Sequence, residues 1–146
     1  MLTFDPMNSP ARLIALFLLS AFSLNAAAPL RPTEFPRKFA GKFQWADEEY
    51  VYQVTLTISK VEEKGGLLHF SGIHDYDSGA ARMKVAGTID PNSLQVVFQE
   101  TEMVEKVYAE IDGKFLGSLS ADHKRLSAKW KTESSGRKGT LELLAK

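Results

Sequence analysis

The chain has 146 residues, with 18 Lys and Arg against 18 Asp and Glu, no cysteine, and 44% hydrophobic residues. That length is one domain, and a zero net charge offers neither a basic face for nucleic acid nor an acidic tail for a cationic partner. Without cysteine there is no disulfide framework, no thiolate zinc site and no cysteine nucleophile.

The first element in chain order is an export signal. Residues 13–24 read LIALFLLSAFSL, an uncharged run broken only by Ser20 and Ser23. Arg12 precedes it, and Ala26, Ala27 and Ala28 follow. A basic residue, a short apolar core and a small-residue exit describe a secretory signal peptide over residues 1–28. Twelve residues rise about 18 Å as a helix, short of a hydrocarbon core of roughly 30 Å, so a stable membrane anchor is the weaker reading. Two features depart from the pattern: Asp5 in the leading region, and Pro29, which obstructs cleavage directly after Ala28. With no cysteine, lipid anchoring at that residue type is excluded. Removing residues 1–28 leaves 118, and the mature balance stays at 17 against 17. The expected location is secreted or periplasmic.

Residues 29–38 (PLRPTEFPRK) hold Pro29, Pro32 and Pro36 and read as an extended lead-in. From residue 39 to 146 the period is two. Residues 50–59 (YVYQVTLTIS) alternate strictly, with Tyr50, Tyr52, Val54, Leu56 and Ile58 on one face. The same alternation predicts strands over 39–45, 68–74, 83–89, 94–100, 115–119, 126–130 and 139–143. Turn chemistry separates them: Lys64-Gly65-Gly66, Asp75 to Gly79, Asp90-Pro91-Asn92-Ser93, Asp112-Gly113 and Ser134-Ser135-Gly136. Residues 101–111 (TEMVEKVYAEI) fit helical spacing as well, but the following Asp-Gly favours a strand. The register there stays open: a two-residue loop pairs Ile111 with Lys114 and sets Tyr108 opposite Gly117, a favourable aromatic–glycine pair, but it also carries Lys106 and Glu110 onto the face of Phe115, which an apolar core resists.

Connections this short predict an all-β, antiparallel up-and-down meander of about eight strands. Four strands carry an apolar-x-Gly pattern on the inward face, at Gly41, Gly72, Gly87 and Gly117. Inward glycines mark tight bends or the close approach of a neighbour, which favours a closed barrel over a two-sheet sandwich. The segment 113–130 (GKFLGSLSADHKRLSAKW) combines a glycine-bearing strand, a polar turn and a strand ending in tryptophan. With the short loops and the Phe-x-Gly strands, it resembles the calycin group of lipocalin-like and avidin-like barrels. The resemblance covers the mature chain in shape and implies a small exported barrel. Its departures are that Gly41 and Trp45 stand four apart, where lipocalins have Gly-x-Trp, and that no disulfide is possible. No family binding residue carries over.

For chemistry, His74-Asp75-Tyr76-Asp77, with His69 upstream, is the densest polar cluster. Adjacent residues of a strand point to opposite sides, so it reads as a turn rather than a metal site. No serine lies in Gly-x-Ser-x-Gly, and His123 sits in a polar turn, so no nucleophilic triad is expected. The carboxylate pairs Glu48-Glu49, Glu62-Glu63 and Glu100-Glu102 flank turns or strand ends and read as a solvated rim. Trp45, Tyr50, Tyr52 and Trp130 read foremost as barrel core, and secondarily as ligand contacts. His74 and Glu100 end inward faces and are placed at a barrel mouth. The expectation is a non-enzymatic barrel, without cofactor or metal, whose interior takes a small, partly apolar ligand through Trp45, Tyr50, Tyr52, His74, Glu100 and Trp130. The alternative is a protein-interaction module, an inhibitor or an envelope assembly partner, with a solid core and an outward apolar patch around Val51, Leu67, Ile73 and Val97. An enzyme would instead need a cleft holding a histidine with a nearby carboxylate.

Overall fold

The computed structural model describes residues 28–104 and 111–146. The apolar run at 13–24, most of the expected signal peptide and residues 105–110 lie outside the described residues, as does most of the segment that fits both helix and strand.

Eight strands follow one another: β1 (Lys38–Trp45), β2 (Val51–Lys64), β3 (Leu67–Tyr76), β4 (Ala81–Ile89), β5 (Gln95–Met103), β6 (Lys114–Leu119), β7 (Arg125–Lys131) and β8 (Lys138–Ala145). Each pairs antiparallel with the next, and β1 pairs with β8, which closes the barrel and excludes the sandwich. The strands form where alternation predicts them because one face is apolar throughout. Val54, Leu56 and Ile58 of β2, Val96 and Phe98 of β5, and Leu126, Ala128 and Trp130 of β7 are all buried. Lys42, Gln53, Lys84 and Lys129 point outward. This polarity is the reverse of a membrane-spanning barrel, which is apolar outside.

The inward glycines have a common cause. A Cβ on Gly41 would lie 2.0 Å from the Glu142 carbonyl oxygen, and one on Gly117 would lie 1.9 Å from that of Ser127. Neighbouring backbone presses against them, as strong coiling in a narrow barrel requires. At Gly65-Gly66, φ values of 62° and 78° give the tight hairpin that only glycine adopts without strain.

Three expectations change. Strand β2 runs to Lys64, past Ser59, because a bulge between Ile58 and Lys60 resets the alternation and turns Val61 toward Phe70. Gly117 pairs with Val96 and Ala128 rather than Tyr108, because β6 takes the first half of β5 as its neighbour. The lead-in is more than an extended tail. It makes a 3-10 turn at Pro32–Glu34, with Arg31 and Glu34 bonded across it, and buries Leu30 and Phe35. The Phe35 ring lies 5.3 Å from that of Phe70 and 6.1 Å from that of Phe39, so this segment plugs one end of the barrel.

Candidate functional site

The inward face of β3 places Leu68, Phe70, Gly72, His74 and Tyr76 on one line. His74 and Tyr76 are two residues apart and share the interior, while Asp75 between them faces out, where it pairs with Arg82 at 3.3 Å and accepts the Gly79 N–H. Asp77 turns outward at a positive φ of 49° and accepts from the Tyr50 hydroxyl and the Gln53 N–H. The cluster anticipated at residues 74–77 is therefore divided by the strand pleat.

Glu100 reaches the same interior from β5, where it pairs with Val85 across a bulge between Lys84 and Val85. The Tyr76 hydroxyl donates to Glu100 Oε1 at 2.9 Å, and the Tyr76 hydroxyl oxygen lies 3.3 Å from His74 Nδ1. His74 Nδ1 stands 3.9 Å from Glu100 Oε1. These three residues meet in the barrel core: His74 is 0% exposed and Glu100 is 5% exposed. Two corrections follow. His74 and Glu100 sit inside rather than at a mouth, and Glu100 parts from Glu102, which faces out to Lys84 at 3.2 Å. Both changes arise from strand pairing, because β3, β4 and β5 run further toward this end than alternation alone suggests.

Aromatic rings surround the cluster. The His74 ring is 5.4 Å from Phe115, 5.7 Å from Phe98 and 5.1 Å from Tyr76, with Phe98 and Phe115 stacked at 4.5 Å. Burial, with the adjoining Glu100 charge and hydrogen bond, holds the Tyr76 phenol well above its ordinary range, so it stays a donor. Among the described residues, two polar atoms of the cluster have no hydrogen-bond partner: His74 Nε2 and Glu100 Oε2.

The remaining expected site residues fall into two pairs, Trp45 with Trp130 and Tyr50 with Tyr52. Trp130 is buried and Trp45 is half-buried, edge to face at 4.7 Å. Arg137 lies over the Trp45 ring at 3.8 Å and is held by Asp47 and Glu48 at 3.1 and 2.9 Å. Its guanidinium draws the Asp47 carboxyl below the usual carboxylate range. Tyr52 is half-buried and packs against Tyr76 and Phe43. Tyr50 is 57% exposed, meets Tyr52 edge to face and does not join the interior. Tyr76 is the residue that sequence reasoning passed over. Its signal was the inward alternation of 68, 70, 72 and 74, masked by the turn composition that begins at Asp75.

An open groove of about 560 Å³ lies on the outer wall, between Lys42, Gln53, Arg125 and Glu142. It contains none of these residues. Among the described residues, no group of three or more His, Asp or Glu is placed to hold a metal ion. Comparison with protein-family models, curated proteins and solved structures gave no match to this chain.

Proposed function

We propose that this chain is an exported, non-enzymatic barrel that binds a small, partly apolar ligand at its aromatic end. The observation that carries the reading is a pair of buried atoms without a partner among the described residues, His74 Nε2 and Glu100 Oε2, within a wall of rings. Leaving one buried polar atom unsatisfied costs about 1–3 kcal/mol, more when charged, and an apolar pair of similar volume would avoid that cost. A bound molecule that completes these bonds accounts for retaining them. The route we infer passes Trp45 and Arg137, so it requires the Arg137 network with Asp47 and Glu48 to open. The histidine and carboxylate that an enzyme would need do meet here, but the hydroxyl beside them is a phenol whose pKa burial holds well above its ordinary range, which makes it a poor nucleophile.

A thermal-shift screen of small aromatic and aliphatic compounds tests the reading. Ligands that bind the folded state raise the melting temperature, and the rise is lost in Tyr76→Phe. A complete absence of stabilising compounds overturns it. Export is tested by fractionation, which should yield a product beginning within two residues of Ala28.

A second reading, an interaction module with a solid core, is favoured by one exposed cross-strand pair. Val97 and Leu116 face each other on the outer wall, 41% and 54% exposed. Val51, Leu67 and Ile73, expected beside Val97, are instead half-buried. If this surface is the functional one, lysine at both Val97 and Leu116 abolishes partner retention and leaves compound stabilisation unchanged.

A further inference from the structure

The hydrogen-bond directions inside the barrel specify what the cluster lacks. The Tyr76 hydroxyl has one hydrogen, and it is donated to Glu100 Oε1. At His74 Nδ1, 3.3 Å away, the phenol oxygen can therefore only accept, so Nδ1 carries the ring proton. In the neutral ring, Nε2 is then a bare acceptor. Nε2 is on the outer edge of the ring, and it has no partner among the described residues. Glu100 Oε2 is also an acceptor without a partner. With the ring neutral, the cluster presents two acceptors that lack a donor among the described residues.

The surroundings favour the same kind of guest. Phe43, Phe98, Phe115 and Tyr76 turn ring faces and edges about the cluster, with Phe43 6.2 Å from Tyr76 and 6.1 Å from Phe115. Ring faces attract cations, and a charge-assisted bond to a buried carboxylate is about twice as strong as a neutral one. Above the cluster, half-buried Trp45 and Tyr52 offer a flat apolar contact for the rest of the molecule. The protein also holds a cation on an aromatic face at this end, Arg137 over Trp45.

Building on the ligand-binding reading above, we propose that the interior of this barrel recognises a protonated amine carried on a small aromatic body. The nitrogen donates to Glu100 Oε2 and His74 Nε2, and the body packs against Trp45 and Tyr52 after Arg137 swings aside. A neutral alcohol supplies one hydrogen for two acceptors, and a carboxylate supplies none and adds a like charge beside Glu100.

Calorimetric titration of the full chain with 2-phenylethylamine, 2-phenylethanol and 3-phenylpropionate at pH 7 tests the assignment. The amine should bind one to one and at least tenfold tighter than either of the others. Glu100→Gln should weaken the amine at least tenfold and leave the alcohol unchanged. Equal or tighter binding of the alcohol or the propionate overturns the amine assignment while the ligand-binding reading stands. Binding of none of the three also overturns it, and the compound screen then judges the broader reading by itself. The ranking of the three probes on the unaltered chain decides the question even where Glu100→Gln fails to fold.

Discussion

At one end of the barrel, Leu30 and Phe35 of the lead-in lie over Phe39 and Phe70, and the buried side chains around them are apolar. At the other end lie the buried polar residues among those described, His74, Glu100 and Thr132. The loops differ as well. The plugged end is joined by Gly65-Gly66 and by the turns at 90–94 and 120–124. The polar end carries the segments 46–50, 77–80 and 132–137, with Val104 and residues 111–113. The same eight strands supply both ends, so the difference lies in what each strand presents inward over its last few residues. Apolar residues at the plugged end hold the barrel together, which leaves the other end free to carry groups that weaken it.

Substitutions at the two ends should therefore separate stability from binding. The largest effect is expected at the plug. Phe35→Ala or Phe39→Ala should lower unfolding free energy by about 3–5 kcal/mol in denaturant titrations. Ligand affinity of the protein that remains folded should not change. In the wall between the ends, Gly41→Ala forces backbone to move, since its Cβ would meet the Glu142 carbonyl at 2.0 Å, and should cost about 1–3 kcal/mol.

At the polar end, the sign depends on how many partners are removed. Tyr76→Phe alone leaves Glu100 Oε1 without its donor and should destabilise by about 1–3 kcal/mol. His74→Leu, Tyr76→Phe and Glu100→Met combined replace all three buried polar groups by apolar ones. The triple variant should leave stability unchanged or raise it by about 1 kcal/mol, while abolishing ligand uptake. If that triple variant is strongly destabilised, the contrast between the ends is wrong.

The pH dependence gives a smaller signal. The raised Tyr76 pKa means that the folded chain keeps a proton which the unfolded chain releases above about pH 10. The stability this contributes is complete below that pH and is lost as pH rises beyond it. Tyr76→Phe should flatten this alkaline fall in melting temperature. The smallest effect is expected on the acid side. The Asp47 carboxyl is lowered by its bond to Arg137, so its contribution is present above the ordinary aspartate value and fades as pH falls through the folded one. Arg137→Ala should remove that faint dependence and speed ligand uptake in stopped-flow fluorescence of Trp45 and Trp130.

The strands were legible because water on one side and a core on the other impose a period of two, and Tyr52 to Ile58 shows it without interruption. Closure could be argued from the recurrence of inward glycine, because only neighbouring backbone at close range demands it at Gly41, Gly72, Gly87 and Gly117. The plug was not legible. Leu30 and Phe35 are the buried residues of a proline-rich stretch, and proline signals an absence of regular pairing without saying what the side chains touch. His74 and Glu100 could each be placed on an inward face. Their meeting depends on the register of β3, β4 and β5, including the bulge after Lys84, and alternation within a strand carries no information on register between strands. Tyr50 illustrates the limit at a strand end, where it continues the inward line but lies beyond the last pairing of β2 with β1 and faces solvent.

The seam between β1 and β8 joins Phe39 to Ala145, and the Lys146 N–H donates to the Lys38 carbonyl. In a ring of antiparallel neighbours no strand is first or last, so the order of synthesis is a matter of where the ring was cut. A permuted chain that links residue 146 to residue 38 and opens at Gly65-Gly66 keeps the strand pairings but loses the plug from its usual tether. The opposite operation is harsher. A chain ending before Lys138 exposes two unpaired edges at once, on β1 and β7, each a template for another molecule. Self-association of such a fragment would follow from the same closure that keeps the intact ring free of edges.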